Sequence, residues 1–214
     1  METRLGWAGV RGNWDGSWRR KVFYAETTVR RAAGNVEGDP RYPAPGFTDT
    51  RFDVGFCAGI AYGAHSALFP IPQRGPEERT GSRDLGMRSD RFLSPGLATF
   101  VRSLPAPIGE YEMVDDGHRA QPSRGFRESL GIARMHWPPA SPDLKPVEDV
   151  WDQLGRRIRR RERQAEHPAR NREELVAIAQ EEWEGIDWGR VDKSIAGMGG
   201  KIAAVIKRKG GYTK

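Results

Sequence analysis

A chain of 214 residues is long enough for one domain, or one domain with an appendage, and can bury a core large enough for its seven tryptophans. Its formal charge of +6 suits a polyanionic partner without requiring one. A lone cysteine, Cys57, excludes an internal disulfide framework and fits a reducing compartment; with four scattered histidines it also excludes a zinc cluster. The opening METRLGWAG lacks the apolar run of a signal peptide. Residues 54–73 carry no Asp, Glu, Lys or Arg, but their glycines, His65, Pro70 and Pro72 fit two buried strands and a turn better than a membrane span. No internal repeat is present.

Residues 4–18 read as a short helix carrying Trp7 and Trp14, followed by a turn. Lys21 to Val29 is rich in β-branched and aromatic residues and reads as a strand. Residues 33–50, full of Gly, Pro and Asp, read as a loop or irregular hairpin. Strands at 52–62 and 66–71 follow, separated by Gly63, and the polar residues 72–90 read as a mobile surface segment. A helix near 91–104 packs Phe92, Leu97, Phe100 and Leu104. A short strand, Glu110 to Asp115, ends in acids; a helix near 122–130 leads to a strand from Ile132 to Trp137.

Prolines at 138, 139, 142 and 146 fix φ and forbid a helix before Val147. From there Val147, Val150, Trp151, Leu154 and Ile158 make one apolar stripe. Glu148 stands in the first turn, where backbone N–H groups favour a carboxylate. On the residues alone, an acid that merely complements the helix dipole explains it. A second helix has Asn171 as N-cap, Glu174 three residues on, and a stripe of Leu175, Ile178, Ala179 and Trp183. A third keeps Val191, Ile195, Met198, Ile202 and Val205 at helical spacing despite three glycines. The tail KRKGGYTK reads by default as a frayed terminus. The order of strands and helices is that of an α/β fold.

The segment 137–151, WPPASPDLKPVEDVW, resembles the W-P-x-x-S-P-D-L-N-P-I-E-x-x-W signature of the Tc/mariner superfamily of DNA transposases, with Lys145 for Asn and Val147 for Ile. RLGWAGVRGNWDGSWRRKVFYAET resembles the family's approach to its first strand, RFDVGFCAGIAYGAHSALFPI its next two strands, VDDGHRA the segment bearing its second Asp, and IAAVIKRKGGYTK its closing segment. The resemblance implies an RNase H-like catalytic domain: a mixed five-stranded sheet with helices on both faces. It implies a leading helix and linker over 1–20, the core over 21–165, and C-terminal helices with a basic tail over 166–214. The family's paired helix-turn-helix modules have no counterpart in this sequence, so recognition of specific transposon ends is not expected.

In that family an Asp-Asp-Glu set holds two divalent cations, Mg²⁺ or Mn²⁺, about 4 Å apart, for in-line cleavage and joining of DNA. By resemblance Glu148 is the third acid and Asp116 the second, with Asp115 the alternative. Thirty-one residues (117–147) lie between Asp116 and Glu148, a few fewer than in the family. His118 matches the family's His, either for a loop hydrogen bond or for substrate. The first acid aligns with Ala25, which cannot coordinate a metal. The neighbouring Glu26 would point to the opposite sheet face unless a bulge intervened. The expectation is weak cation binding and poor DNA cleavage.

Residues 156–163, RRIRRRER, follow on the same helix, and Arg156, Arg157, Arg159, Arg160 and Arg161 are candidate phosphate contacts. The competing explanation is a solvated helix face with Arg–Glu pairs, Glu162 and Glu166 being near. The implied partner is double-stranded DNA, as transposon ends and target, with a possible homodimer, no membrane, and a nuclear location. No phosphate-cradling P-loop, dinucleotide-binding βαβ unit or supported Ser–His–Asp set is present. The alternatives are a non-catalytic DNA-binding or dimerising remnant, and a marginally folded relic.

Overall fold

The computed structural model describes residues 3–12, 16–31, 52–72, 95–114, 127–165 and 168–213. Expectations for Trp14, the loop at 33–50, the segment 73–90, Phe92, residues 122–126, Asp115, Asp116, His118 and Glu166 lie outside the described residues.

The N-terminal helix α1 (Arg4–Gly9) is shorter than its expected span, and Ser17–Arg20 form a separate 3-10 turn. Strand β1 (Lys21–Arg31) crosses the middle of a mixed sheet. It pairs antiparallel with β2 (Phe52–Ala61), Phe23 facing Ile60 and Ala25 facing Ala58. Of the expected strand at 66–71 only β4 (Phe69–Pro70) forms; β3 (Ala64–His65) precedes it, and both pair with β2 on its outer side. Helical residues 95–102 (α2) lead to β5 (Glu112–Val114), parallel to β1 with Val114 facing Phe23. After helical residues 127–130 (α3), β6 (Ala133–Arg134) pairs parallel with β5. The strand expected as far as Trp137 is thus only two residues long. Met135 still donates to the Met113 carbonyl, 2.9 Å, but the His136 carbonyl accepts from Trp7 Nε1, 2.8 Å, as the chain turns away toward its prolines.

Three helices were expected in the remainder, and four are present: α4 (Pro146–Gln164) and α5 (Arg172–Glu184) match two of them, and the third is the helical pattern beyond residue 190. That last pattern is two helices, α6 (Trp188–Ala196) and α7 (Met198–Lys207), broken at Gly197. A Cβ there would lie 3.0 Å from the Lys193 carbonyl, so the chain turns where it carries no side chain.

Strand alternation sorts the core into two layers. Val22, Tyr24, Cys57 and Met113 face α2, meeting Leu97, Phe100 and Val101. Phe23, Ala25, Phe56, Ala58 and Val114 face the other way, in one cluster with Val147, Leu154, Trp183, Ile195 and Ile202. Helices therefore cover both faces. The tail is not frayed: the Gly210 amide donates to Val205, and Thr213 reaches the Pro-rich turn. No helix among the described residues is long and apolar enough to cross a membrane.

Candidate functional site

The Pro-rich turn is pinned before it delivers its helix. Trp137 packs edge-on against Trp7, ring centroids 5.0 Å apart, and against Phe23, 5.9 Å, while its Nε1 donates to the Ser141 carbonyl at 3.3 Å. Pro142–Leu144 form one 3-10 turn, and α4 begins at Pro146, one residue earlier than expected. The first helical position tolerates proline because its amide would have no intrahelical partner.

Asp143 holds this turn to both ends of the chain. Arg4 grips its carboxylate with two nitrogens, one at 2.7 Å, and Thr213 donates from its amide at 2.8 Å and its hydroxyl at 2.9 Å. Burial pushes the Asp143 carboxyl upward, but the Arg4 and Thr213 hydrogen bonds outweigh it and hold the pKa at about 2. Sequence reasoning missed this clasp.

The two acids in the first turn of α4 point to different surroundings. Asp149 faces α6 and α7, where Ser194 Oγ lies at 3.4 Å and Lys201 Nζ at 3.5 Å. Glu148, half-buried, opens into a groove of about 810 Å³ between α4 and residues 27–30 of β1. Asp152 and Arg159 line the α4 wall, Thr27 and Arg30 the β1 wall, with Leu154 and Ile158 beneath. Asp152 was not anticipated, although its position four residues after Glu148 puts both on one helix face.

Ala25 lies on the β1 face that α4 covers, 1% exposed, in the same apolar cluster as Val147 and Val150. β1 pairs with β2 residue for residue from Phe23 to Arg31, so it contains no bulge. Glu26 therefore keeps its alternate position, on the face away from α4, and cannot stand in for the missing acid. Among the described residues no three of His, Cys, Asp and Glu are grouped as a metal would need. The carboxylates that line the groove among the described residues, Glu148, Asp152 and Glu162, all stand on α4 with none facing them from β1, which does not fit a pair of divalent cations. Asp116 lies outside the described residues.

The five candidate arginines separate into groups. Arg159 lines the Glu148 groove. Arg157 and Arg161 turn to α5: Arg157 Nε lies 2.8 Å from Glu182, and Arg161 lies 2.5 Å from Glu181 and 3.4 Å from Glu182. The hydrogen bond that Arg161 donates to Glu181 holds its guanidinium above its ordinary pKa. With Arg160 these two line a recess of about 400 Å³ at the α4–α5 junction. Arg156 is exposed. The Arg–Glu pairing weighed from the sequence is present, with partners on α5.

No protein-family model matches the chain. Over 168 residues it is 33% identical to the Tcb1 transposase of Caenorhabditis briggsae, an alignment that takes in 74% of this chain and 58% of that protein. The chain thus spans less than two thirds of the relative's length. Its fold superposes on the Mos1 transposase catalytic domain with raltegravir and manganese at a TM-score of 0.67 and 16% identity, covering 99% of this chain and 95% of that one. A pre-cleavage Mos1 transpososome gives a TM-score of 0.70 at 16% identity, with 99% of this chain and 63% of that chain covered. The mixed sheet with helices on both faces is the RNase H-like architecture of the Mos1 catalytic domain, and with the kinship to Tcb1 it places this chain in the Tc/mariner superfamily of transposases.

Proposed function

We propose that the chain is the DNA-cleaving and DNA-joining domain of a Tc/mariner transposase, with its chemistry impaired at the first acid position. The reaction of an intact domain is hydrolysis at transposon ends, then transfer of the freed 3′-hydroxyl to target DNA. Divalent cations supply activation of the attacking oxygen and neutralise the leaving one. The observation that carries the reading is the groove between Glu148 and residues 27–30 of β1, two residues along that strand from the buried methyl of Ala25. Val114, the last described residue of β5, pairs with Phe23 and shares Ala25's cluster, and Asp116 follows it by two residues in sequence. This supports Asp116 as the second acid with Glu148 as the third.

Mos1 structures contain manganese or magnesium and paired transposon ends, which supports Mg²⁺ or Mn²⁺, double-stranded DNA and a homodimer for this chain. Cation binding is weak because β1 offers the groove hydroxyls but no carboxylate. Arg156, Arg159 and Arg160 contact phosphates, and a DNA partner puts the protein in the nucleus. The test is a plasmid-nicking assay in Mg²⁺ or Mn²⁺. Little or no nicking is the expected result; robust metal-dependent nicking, abolished by Glu148→Ala, contradicts the impairment.

The buried apolar setting of Ala25 also favours a second reading, a DNA-binding or dimerising remnant without catalysis. A salt-dependent mobility shift by this chain, with no cleavage even after Ala25→Asp, selects it.

A further inference from the structure

The recess at the α4–α5 junction has the construction of a phosphate site that already contains an anion. Arg157, Arg160 and Arg161 line it, and Glu182, its side chain 16% exposed, enters between two guanidinium groups. Glu181 binds Arg161 from the solvent side, 63% exposed. A carboxylate presents the same paired oxygens to a guanidinium as a phosphodiester does. Arg157 and Arg161 are themselves 42% and 38% exposed, so these pairs compete with water and with any external anion.

We propose that Glu181 and Glu182 are internal competitors for phosphate. They occupy Arg157 and Arg161, so the basic face of α4 holds nucleic acid more weakly than its arginine count allows. Arg156 and Arg160, which make no ion pair with a described residue, contact the backbone from the start. Arg157 and Arg161 do so only when the carboxylates let go. The inference rests on the DNA-binding reading above and assigns to α5 a restraining role in it.

Binding of a 30-base-pair duplex to the full chain, by mobility shift at several salt concentrations, tests this. Glu181→Gln/Glu182→Gln keeps shape and hydrogen-bonding capacity while removing charge. It should bind on the order of tenfold tighter at low salt, with log K falling more steeply against log salt by about 1.8, two added phosphate contacts at about 0.9 each. The gain should vanish when Arg157→Gln/Arg161→Gln is added, which separates release of these arginines from a general change in net charge. An unchanged or weaker affinity in the first variant overturns the proposal, as does a gain that survives loss of the two arginines. If neither the parent chain nor the first variant binds duplex DNA at any salt, the DNA-binding reading itself fails. A thermal midpoint within a few degrees of the parent shows that each variant is folded.

Discussion

A carboxylate at position 25 would have to live where a methyl group is 1% exposed among Phe23, Val147 and Val150. In chelator, Ala25→Asp should cost about 3 kcal/mol through burial of an unpaired charge. That lowers the thermal midpoint by roughly 6–12 °C for a domain of this size. Mg²⁺ or Mn²⁺ should restore much of the loss if the acid meets Glu148 across a cation; an equal loss with and without metal would speak against that geometry. Asp143 makes a different prediction. Its folded pKa of about 2 lies below its ordinary 3.8. The stabilisation is therefore complete above about pH 4 and disappears as the pH falls toward 2. It amounts to roughly 2 kcal/mol. Asp143→Asn should lower stability by that amount at pH 7, and the gap between variant and parent should close in acid melts; a gap that persists at pH 2 would contradict the clasp. The place of Glu148 in the first turn of α4 was legible in the sequence because the prolines before it dictate where that helix can start. The clasp was not, because Arg4 and Thr213 lie 139 and 70 residues away from Asp143.

At the scale of the elements, local chemistry was read well wherever it was self-contained. Asn171 caps α5 as its spacing implied, accepting from the Glu174 amide at 2.8 Å while the Glu174 carboxylate returns to the Arg170 amide at 2.7 Å. The Arg170 amide holds the Glu174 carboxyl below its ordinary pKa. Asn171→Ala should cost about 1 kcal/mol, a midpoint drop of roughly 2–4 °C; no drop would mean the cap is not used in solution. The α6–α7 break was hidden because the apolar period runs on through Gly197 without a phase change. The close packing of α2 on the sheet was equally invisible. A Cβ at Gly59 would lie 2.8 Å from Leu97 and 3.0 Å from Phe100, so Gly59→Ala should destabilise by about 1–3 kcal/mol through overpacking, read by denaturant melts.

At the scale of the whole molecule, one apolar cluster runs from Trp7 and Trp18 along one face of the sheet to Trp183 and Val205. Both ends of the chain are tied to the turn that aims Glu148, through Arg4, Asp143 and Thr213. The signature segment thus holds the fold together as well as presenting an acid. Its fold was legible because the motif is long and its prolines leave few alternatives. The distribution of charge was not, because pairing of α4 arginines with α5 glutamates depends on how two helices pack. Glu148 opens into a groove against β1, and Ala25, two residues before Thr27 of that groove, is the buried methyl at the proposed first acid position. The measurement closest to that claim is Mn²⁺-dependent nicking of plasmid DNA by Ala25→Asp, alone and combined with Glu148→Gln. At least about a hundredfold gain over the parent chain is expected from the first change, and loss of that gain with the second. A gain that Glu148→Gln leaves intact would contradict that claim.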